Sequence, residues 1–330
     1  MLRDMMPHFD LYQPDTLEAA LDLAARLGEN GWLVGGGQDS WDWLKNRTKR
    51  TSAVIDLSAI AALKGVREGD GGIEIGALTT LTEVENDALV RERYGLLAMA
   101  AGRVASPQIR NVGTLGGNLC QDTRCWYYRG GVDCYRAGGN TCYADTPQGQ
   151  NREHAIFGAS RCVAVTPSDT ANALVALGAS LLIRNRSAER VVPAAEFFVG
   201  PAVNITRMTV IEPGEILTAV RLPGSWATAK FYFEKVADRA AWDFALLSIS
   251  AAVKMSGDTI ADARLVCGAA ACVPCRLKAV EQAVIGKPQN EETFEKAALL
   301  ATAGARTLQF NQFKIPLLQN LVRRALKGAT

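Results

Sequence analysis

Between Asn118 and Ser168 the chain runs through 49 residues with almost no hydrophobic periodicity. Cys, Gly, Arg, Tyr, Asn and Asp dominate this segment. A structureless stretch of that length inside a compact domain needs something other than an apolar core to organise it. It carries Cys125-x8-Cys134-x7-Cys142-x19-Cys162. Four thiolates in an irregular loop suit a cubane iron–sulfur cluster, whose bonds to the protein can replace the missing core. The compact ferredoxin spacing is absent, so spacing alone leaves zinc nearly as well placed. A disulfide framework is less expected, because Met1–Pro7 lacks the apolar stretch of a secretion signal.

The flanking sequence is regular. Pro14–Glu18 opens a helix, with Asp15 as its expected cap and Glu18 completing a capping box, and Gly28 ends it. Trp32–Val34 and Ala53–Leu57 read as buried strands, giving a first α/β unit over residues 1–60. A strand over Gly72–Ala77 and a helix over Arg91–Arg103 follow. Regular patterning resumes at Ala173–Ile183, Val191–Phe198 and Glu215–Leu222. From about residue 226 the texture changes: Lys230–Val236, Ala245–Val253 and Ala263–Cys267 read as antiparallel strands, with Gly257-Asp258 as a turn. Helices are expected near 276–285, 291–305 and 313–327. The expectation is an α+β chain with a first domain over 1–225, divided into 1–60 and 61–225 with the insertion at about 120–163, and a second over 226–330.

Two glycine-rich loops stand out in the first domain. Leu33-Val34-Gly35-Gly36-Gly37-Gln38-Asp39-Ser40 follows a buried strand directly. Glycine admits positive φ and close backbone approach, so its amides can converge on a phosphate, although a plain turn reads the same way. The spacing is not that of a Rossmann fingerprint. The second loop, Arg110-Asn111-Val112-Gly113-Thr114-Leu115-Gly116-Gly117-Asn118, offers backbone donors, a hydroxyl and two amides. Together the loops suit a pyrophosphate and a ribityl chain, and hence a dinucleotide.

The loop pair, followed by Thr166-Pro167-Ser168-Asp169, resembles the FAD subunit of the xanthine dehydrogenase family, the molybdenum hydroxylases. That family includes carbon monoxide dehydrogenase, aldehyde oxidoreductases and 4-hydroxybenzoyl-CoA reductase. Phe9–Ala20, Gly214–Leu217, Phe233–Val236 with Arg239, and Asp243-Phe244-Ala245 extend the likeness over nearly the whole chain. The resemblance implies a two-part, PCMH-type FAD-binding domain and a CO-dehydrogenase-flavoprotein-like C-terminal domain of antiparallel strands plus helices. It carries FAD contacts onto Leu33, Val34, Gly35, Gly36, Gly37, Gln38, Asp39 and Ser40, onto Asn111, Gly113, Thr114, Gly116, Gly117 and Asn118, and onto Asp169. Leu217 and Lys235 fall on the flavin side, with a solvated strand lysine as the alternative for Lys235.

Family members with a [4Fe-4S] cluster in this position resemble the insertion. Asn118–Cys125 is very like its opening in the reductase, and Arg152-Glu153-His154-Ala155 looks more like an aldehyde oxidoreductase. The resemblance therefore implies a [4Fe-4S] cluster on Cys125, Cys134, Cys142 and Cys162. Cys120 is expected to be a small buried thiol, and Cys267, Cys272 and Cys275 core thiols. Arg124 and Arg161 either offset cluster charge or are solvated. Trp126-Tyr127-Tyr128 either shields the cluster or simply packs. Trp41 and Trp43 are expected in the core, and His154 on the surface unless it packs near the cluster.

The implied function is electron transfer through FAD and the cluster, with no catalytic residue acting on the organic substrate. A small [2Fe-2S] subunit and a large molybdenum-cofactor subunit are the implied partners, with ferredoxin or another carrier as an outside acceptor or donor. The reaction served would be oxidation of an aldehyde, or hydroxylation or dehydroxylation of an aromatic or related substrate. A stand-alone FAD oxidase of the vanillyl-alcohol-oxidase-like class would need a substrate pocket with a placed base, for which residues 226–330 are short. A zinc-stabilised scaffold would make both glycine loops accidents. A net charge of +2 argues against a nucleic-acid footprint, and no apolar run approaches the 18–20 residues or so that a membrane span needs. The chain reads as cytoplasmic unless a partner's signal exports the complex.

Overall fold

A computed structural model describes residues 5–69 and 71–329. Met1–Asp4 of the N-terminal stretch lie outside the described residues.

The first unit is a three-stranded parallel sheet, order β1-β3-β2, from β1 (Asp10–Tyr12), β2 (Gly31–Val34) and β3 (Ala53–Asp56). Strand alternation divides β3 between two cores. Ile55 meets Leu17, Leu21 and Ala24 of the helix Leu17–Leu27, while Val54 meets Val34 and Leu44 on the other face. That helix is capped by Thr16, not Asp15: the Thr16 hydroxyl accepts from the Ala19 amide at 3.3 Å. With Thr16 as cap, the reciprocal position falls on Ala19 rather than Glu18, so no capping box forms.

The second unit is an antiparallel sheet of five strands: β4 (Val66–Gly69), β5 (Gly72–Gly76), β6 (Ser180–Arg184), β7 (Glu189–Pro193) and β8 (Ile216–Pro223), in the order β4-β5-β8-β6-β7. Helices Gly95–Gly102, Leu115–Cys120 and Asp169–Leu177 share its core. The helix expected over 91–103 is two, Ala88–Arg93 and Gly95–Gly102. Tyr94 breaks it with φ −137° and ψ 44°, and its buried hydroxyl donates to Leu222 O at 3.3 Å.

The C-terminal sheet has the order β12-β11-β10-β9, from β9 (Lys230–Val236), β10 (Leu247–Ser256), β11 (Thr259–Gly268) and β12 (Cys275–Arg276). Gly257, at φ 58°, sits in the tight turn between β10 and β11. Helices Lys278–Val284, Glu291–Leu300 and Lys314–Gly328 cover one face. The middle helix ends at Leu300 rather than 305, because residues 301–304 form turns, with Gly304 at φ 77°.

No strand is assigned among residues 119–168. After the helix Leu115–Cys120 ends, helical turns at Trp126–Arg129 and Tyr135–Ala137 are the only regular elements there. The C-terminal domain grips this segment through main-chain groups. Ile156 N and Phe157 N donate to Ala270 O at 2.8 and 3.0 Å, and Thr166 N donates to Ala271 O at 3.0 Å. Lys314, fully buried, donates from Nζ to the carbonyls of Glu153, His154 and Ala269 at 3.1, 2.8 and 2.8 Å.

Candidate functional site: a flavin cleft beside a cysteine pocket

The two glycine loops meet. A Cβ on Gly36 would lie 2.0 Å from Val112 O, so only glycine permits the contact. Gly37 turns the chain at φ 72°, where the Trp41 indole covers it. No acceptor among the described residues engages the amides of Gly35, Gly36 or Gly37. These loops form one wall of a cleft of ≈ 780 Å³, within the range of pockets that hold organic cofactors. Fifteen of the seventeen expected contact residues line it, with residues 206–209 and 211–214 and Trp242–Phe244 on other parts of its wall. The exceptions are Val34, whose side chain is in the core, and Asn111, which accepts from Thr82 Oγ1 at 2.7 Å.

Several polar side chains in the wall are already engaged. Asn118 Oδ1 accepts from Ser168 and Thr170 hydroxyls, both at 2.6 Å. Ser40 Oγ accepts from Trp32 Nε1 at 2.9 Å. Asp39 receives Trp43 Nε1 at 2.9 Å, Arg124 at 3.0 Å, and Arg129. That carboxylate joins the first glycine loop to the cysteine segment, a role for Arg124 that is neither of those expected from sequence. Lys235 is not a solvated strand lysine: its Nζ lies 2.6 Å from Asp169 Oδ2, with both side chains about 5% exposed. Burial pushes the Asp169 carboxyl up from its ordinary range, and Lys235 opposes the shift.

Cys125, Cys134, Cys142 and Cys162, scattered over 38 residues of sequence, line one small pocket with Tyr127, Tyr128, Arg136 and His154. Backbone amides face three of the sulfurs: Tyr127 and Tyr128 toward Cys125, Asp145, Ala144 and Val163 toward Cys142, and Ala164 toward Cys162. Burial pushes the Cys125 thiol up to about 11. The neighbouring Cys272 thiol draws Cys162 down, despite the opposing effect of burial. Four thiols lining one pocket, three of them with main-chain donors, have the chemistry of cluster ligands, although among the described residues no three His, Cys, Asp or Glu side chains stand close enough together to hold a single metal ion.

Four side chains depart from expectation. His154 is 3% exposed rather than on the surface, with Nε2 3.3 Å from Cys125 Sγ. Burial, and secondarily Lys314, lowers its pKa to about 4. Cys120 is exposed on the wall of the large cleft instead of buried. Trp41 is an exposed ring stacked on Phe9, while Trp43 is core. Trp126 is 69% exposed and donates from Nε1 to Glu153 at 3.3 Å, whereas Tyr128 packs on Trp43 and Cys134. Arg161 is exposed near the Tyr135 ring. Cys267 and Cys272 are buried and Cys275 half-buried. Sequence gave no sign that Cys272 would touch Cys162, because the contact crosses from one domain to the other.

Residues 7–225 match the family model described as "FAD binding domain in molybdopterin dehydrogenase", and residues 232–329 match that of the "CO dehydrogenase flavoprotein C-terminal domain". The chain is 32% identical to the aldehyde oxidoreductase FAD-binding subunit PaoB of Escherichia coli K12, over 82% of this chain and 84% of that one. It is 26% identical to the carbon monoxide dehydrogenase medium chain of Hydrogenophaga pseudoflava, over 98% and 97%. A solved chain of carbon monoxide dehydrogenase from the same organism superposes with a TM-score of 0.77 over 98% of each chain, at 26% identity.

Proposed function

The chain belongs to the FAD-binding medium subunits of the molybdenum hydroxylase family, and from that premise we propose that it passes electrons between partner redox subunits and an external carrier. The observation that carries this reading is the ≈ 780 Å³ cleft walled by two glycine loops in backbone contact, beside a pocket lined by four cysteines. FAD supplies one- or two-electron chemistry, and a [4Fe-4S] cluster a one-electron relay.

The residues divide the work of holding these groups. The unengaged amides of Gly35–Gly37 would face the pyrophosphate, with Gln38 and Thr114 beside them, while Gly113, Gly116 and Gly117, whose amides are given to Ile109 O, Ala77 O and Thr114 Oγ1, allow close approach instead of donating. Leu33, Leu217 and the Asp169–Lys235 pair bound the cleft on other sides. Ser40 and Asn118, whose side-chain oxygens already accept, keep a hydroxyl proton and an amide N–H₂ for the ligand, Asp39 shapes the wall, and Val34 and Asn111 support it from behind. Cys125, Cys134, Cys142 and Cys162 hold the cluster. The buried Arg136 guanidinium, 2.8 Å from Asp122, lines the same pocket and offsets cluster charge.

The partners in this reading are a small [2Fe-2S] subunit and a large molybdenum-cofactor subunit, with ferredoxin or a similar carrier outside the complex. The likeness to PaoB favours an aldehyde as the substrate of the assembly. Iron, acid-labile sulfide and flavin should be measured on protein purified without air. About four iron and four sulfide per FAD are expected. Zinc, or flavin without iron, would remove the cluster from the reading, and a preparation with no flavin would end it. Copurification with a large molybdenum-containing chain separates a subunit from a stand-alone enzyme. Among the described residues no helix is long and apolar enough to cross a membrane.

A further inference from the structure

A small cavity of ≈ 30 Å³ lies between the two sites. Cys125, His154 and Ala164 line both it and the cysteine pocket. Arg124, Pro167, Asp169 and Phe244 line both it and the large cleft. Two further facts single it out. His154 and Asn172, 3% and 1% exposed, are both in its wall. His154 Nδ1 and Asn172 Oδ1 are buried atoms with no hydrogen-bond partner among the described residues.

The chemistry of these two atoms is the same. A neutral imidazole has one N–H. Where Cys125 is a deprotonated ligand, Nε2, 3.3 Å from its Sγ, carries that proton and Nδ1 is a bare acceptor. Asn172 Nδ2 is committed to Ser248 Oγ at 3.3 Å and Ser168 O at 3.5 Å, which leaves Oδ1 as the free end of the amide. Tautomer and amide orientation follow here from the hydrogen-bond network. Two acceptors cannot satisfy each other. They need a donor with two protons, and leaving each unmet costs about 1–3 kcal/mol. A cavity of ≈ 30 Å³ has room for about two waters at roughly 10–15 Å³ each.

We propose that this cavity is a built water site, in which one or two water molecules donate to His154 Nδ1 and Asn172 Oδ1 and so join the cysteine pocket to the flavin-side wall by hydrogen bonds. A bridging water fits either tautomer, but its donation to Nδ1 rests on the cluster reading given above, because a free Cys125 thiol would donate to Nε2 and leave the proton on Nδ1. Its effect on redox chemistry rests on the same reading. A donor on Nδ1 polarises the ring and strengthens the Nε2–H bond to Cys125. Reduction adds negative charge to a cluster, so a stronger donor at a ligand sulfur favours the reduced form and raises the potential. His154 and Asn172 are then positioning residues, acting through water and through Cys125.

The first test is a high-resolution crystal structure of the full-length holoprotein. Ordered water within about 2.7–3.2 Å of both atoms is expected. An empty cavity, or a side chain closing on either atom, would overturn the proposal. The second test is an EPR-monitored redox titration of Asn172→Leu and Asn172→Ser. The leucine is close in size to Asn172 but cannot accept, so the potential should fall by up to the ~59 mV that a tenfold one-electron change represents. The serine keeps an acceptor and leaves room for water, and should restore most of the shift. A potential unchanged in the leucine variant, or equally lowered in both, overturns the coupling. Wild-type protein without iron and sulfide would defeat the cluster reading, while the crystal structure would still decide the water site.

Discussion

A single methyl group at Gly36 would bring a carbon within 2.0 Å of Val112 O, and the neighbour it strikes is backbone that cannot swing aside. Gly36→Ala should therefore separate the two glycine loops. The expected result is purified protein with little flavin, seen as loss of the visible flavin absorbance, at a stability cost of about 1–3 kcal/mol. The Asp169–Lys235 pair makes a different prediction. Lys235→Met leaves a buried carboxylate without its cation and should cost about 3–5 kcal/mol in denaturant unfolding of the apoprotein, with a smaller loss when Asp169→Asn is added. His154 predicts a pH dependence. Its pKa falls from 6.5 to about 4 on folding, so below 6.5 the unfolded chain holds more protons at this position. Its contribution is complete above pH 6.5 and is lost as pH drops through 4, by up to about 3 kcal/mol. The stability difference between wild type and His154→Gln, followed in the apoprotein over that window, should vary with this sign, and a flat difference would refute it. At this scale the glycine loops and the cysteine segment could be singled out in sequence because backbone freedom and thiol chemistry are intrinsic to those residues. The pairing of Asp39 with Arg124 and Arg129 was not, since nothing in a linear pattern says where a carboxylate's partners will lie.

Elements were legible to the extent that local chemistry sets them. Strand β3 and the C-terminal hairpin follow from an apolar run and from a glycine turn, and both form, although the hairpin strands run Leu247–Ser256 and Thr259–Gly268 rather than 245–253 and 263–267. The helix Leu17–Leu27 follows from apolar spacing, but its cap was misassigned because Thr16 and Asp15 are equally good candidates and only backbone φ and ψ choose between them. Thr16→Ala should cost about 1 kcal/mol, by the usual worth of such a cap. The helix broken at Tyr94 was illegible for a non-local reason: the ring is drawn into the core, where its hydroxyl reaches Leu222 O on β8. The helix Lys314–Gly328 begins with a side chain that serves another element. Lys314→Met would leave the carbonyls of Glu153 and Ala269 without a donor and His154 O with Asn311 Nδ2 alone. Unfolding should then be easier by several kcal/mol, at about 1–3 kcal/mol for each unmet group. Iron content should fall further than flavin content, because the loss is local to the cysteine pocket. Equal loss of both would point to general unfolding instead.

On the scale of the molecule, three sheets meet around one cleft, and the order of the sequence is not the order in space. The segment least like a folded domain, residues 119–168, lies between the glycine loops and the C-terminal helices and is bonded to both. Length and composition suggested a division of the chain. They did not give the contact between Cys162 and Cys272, or the cavity shared by both sites, because these depend on how separate domains dock. The grip of residues 269–271 and Lys314 on this segment also bears on biosynthesis. A ribosome makes the four cysteines at least 150 residues before it makes Lys314. Throughout that interval the cysteine loop lacks the groups that close it, so a delivery protein has access that the finished chain denies. On the cluster reading proposed above, loading would be tied to a stage of synthesis, and a chain arrested before the last helix should accept iron and sulfide faster, and lose them faster to a chelator, than the completed one.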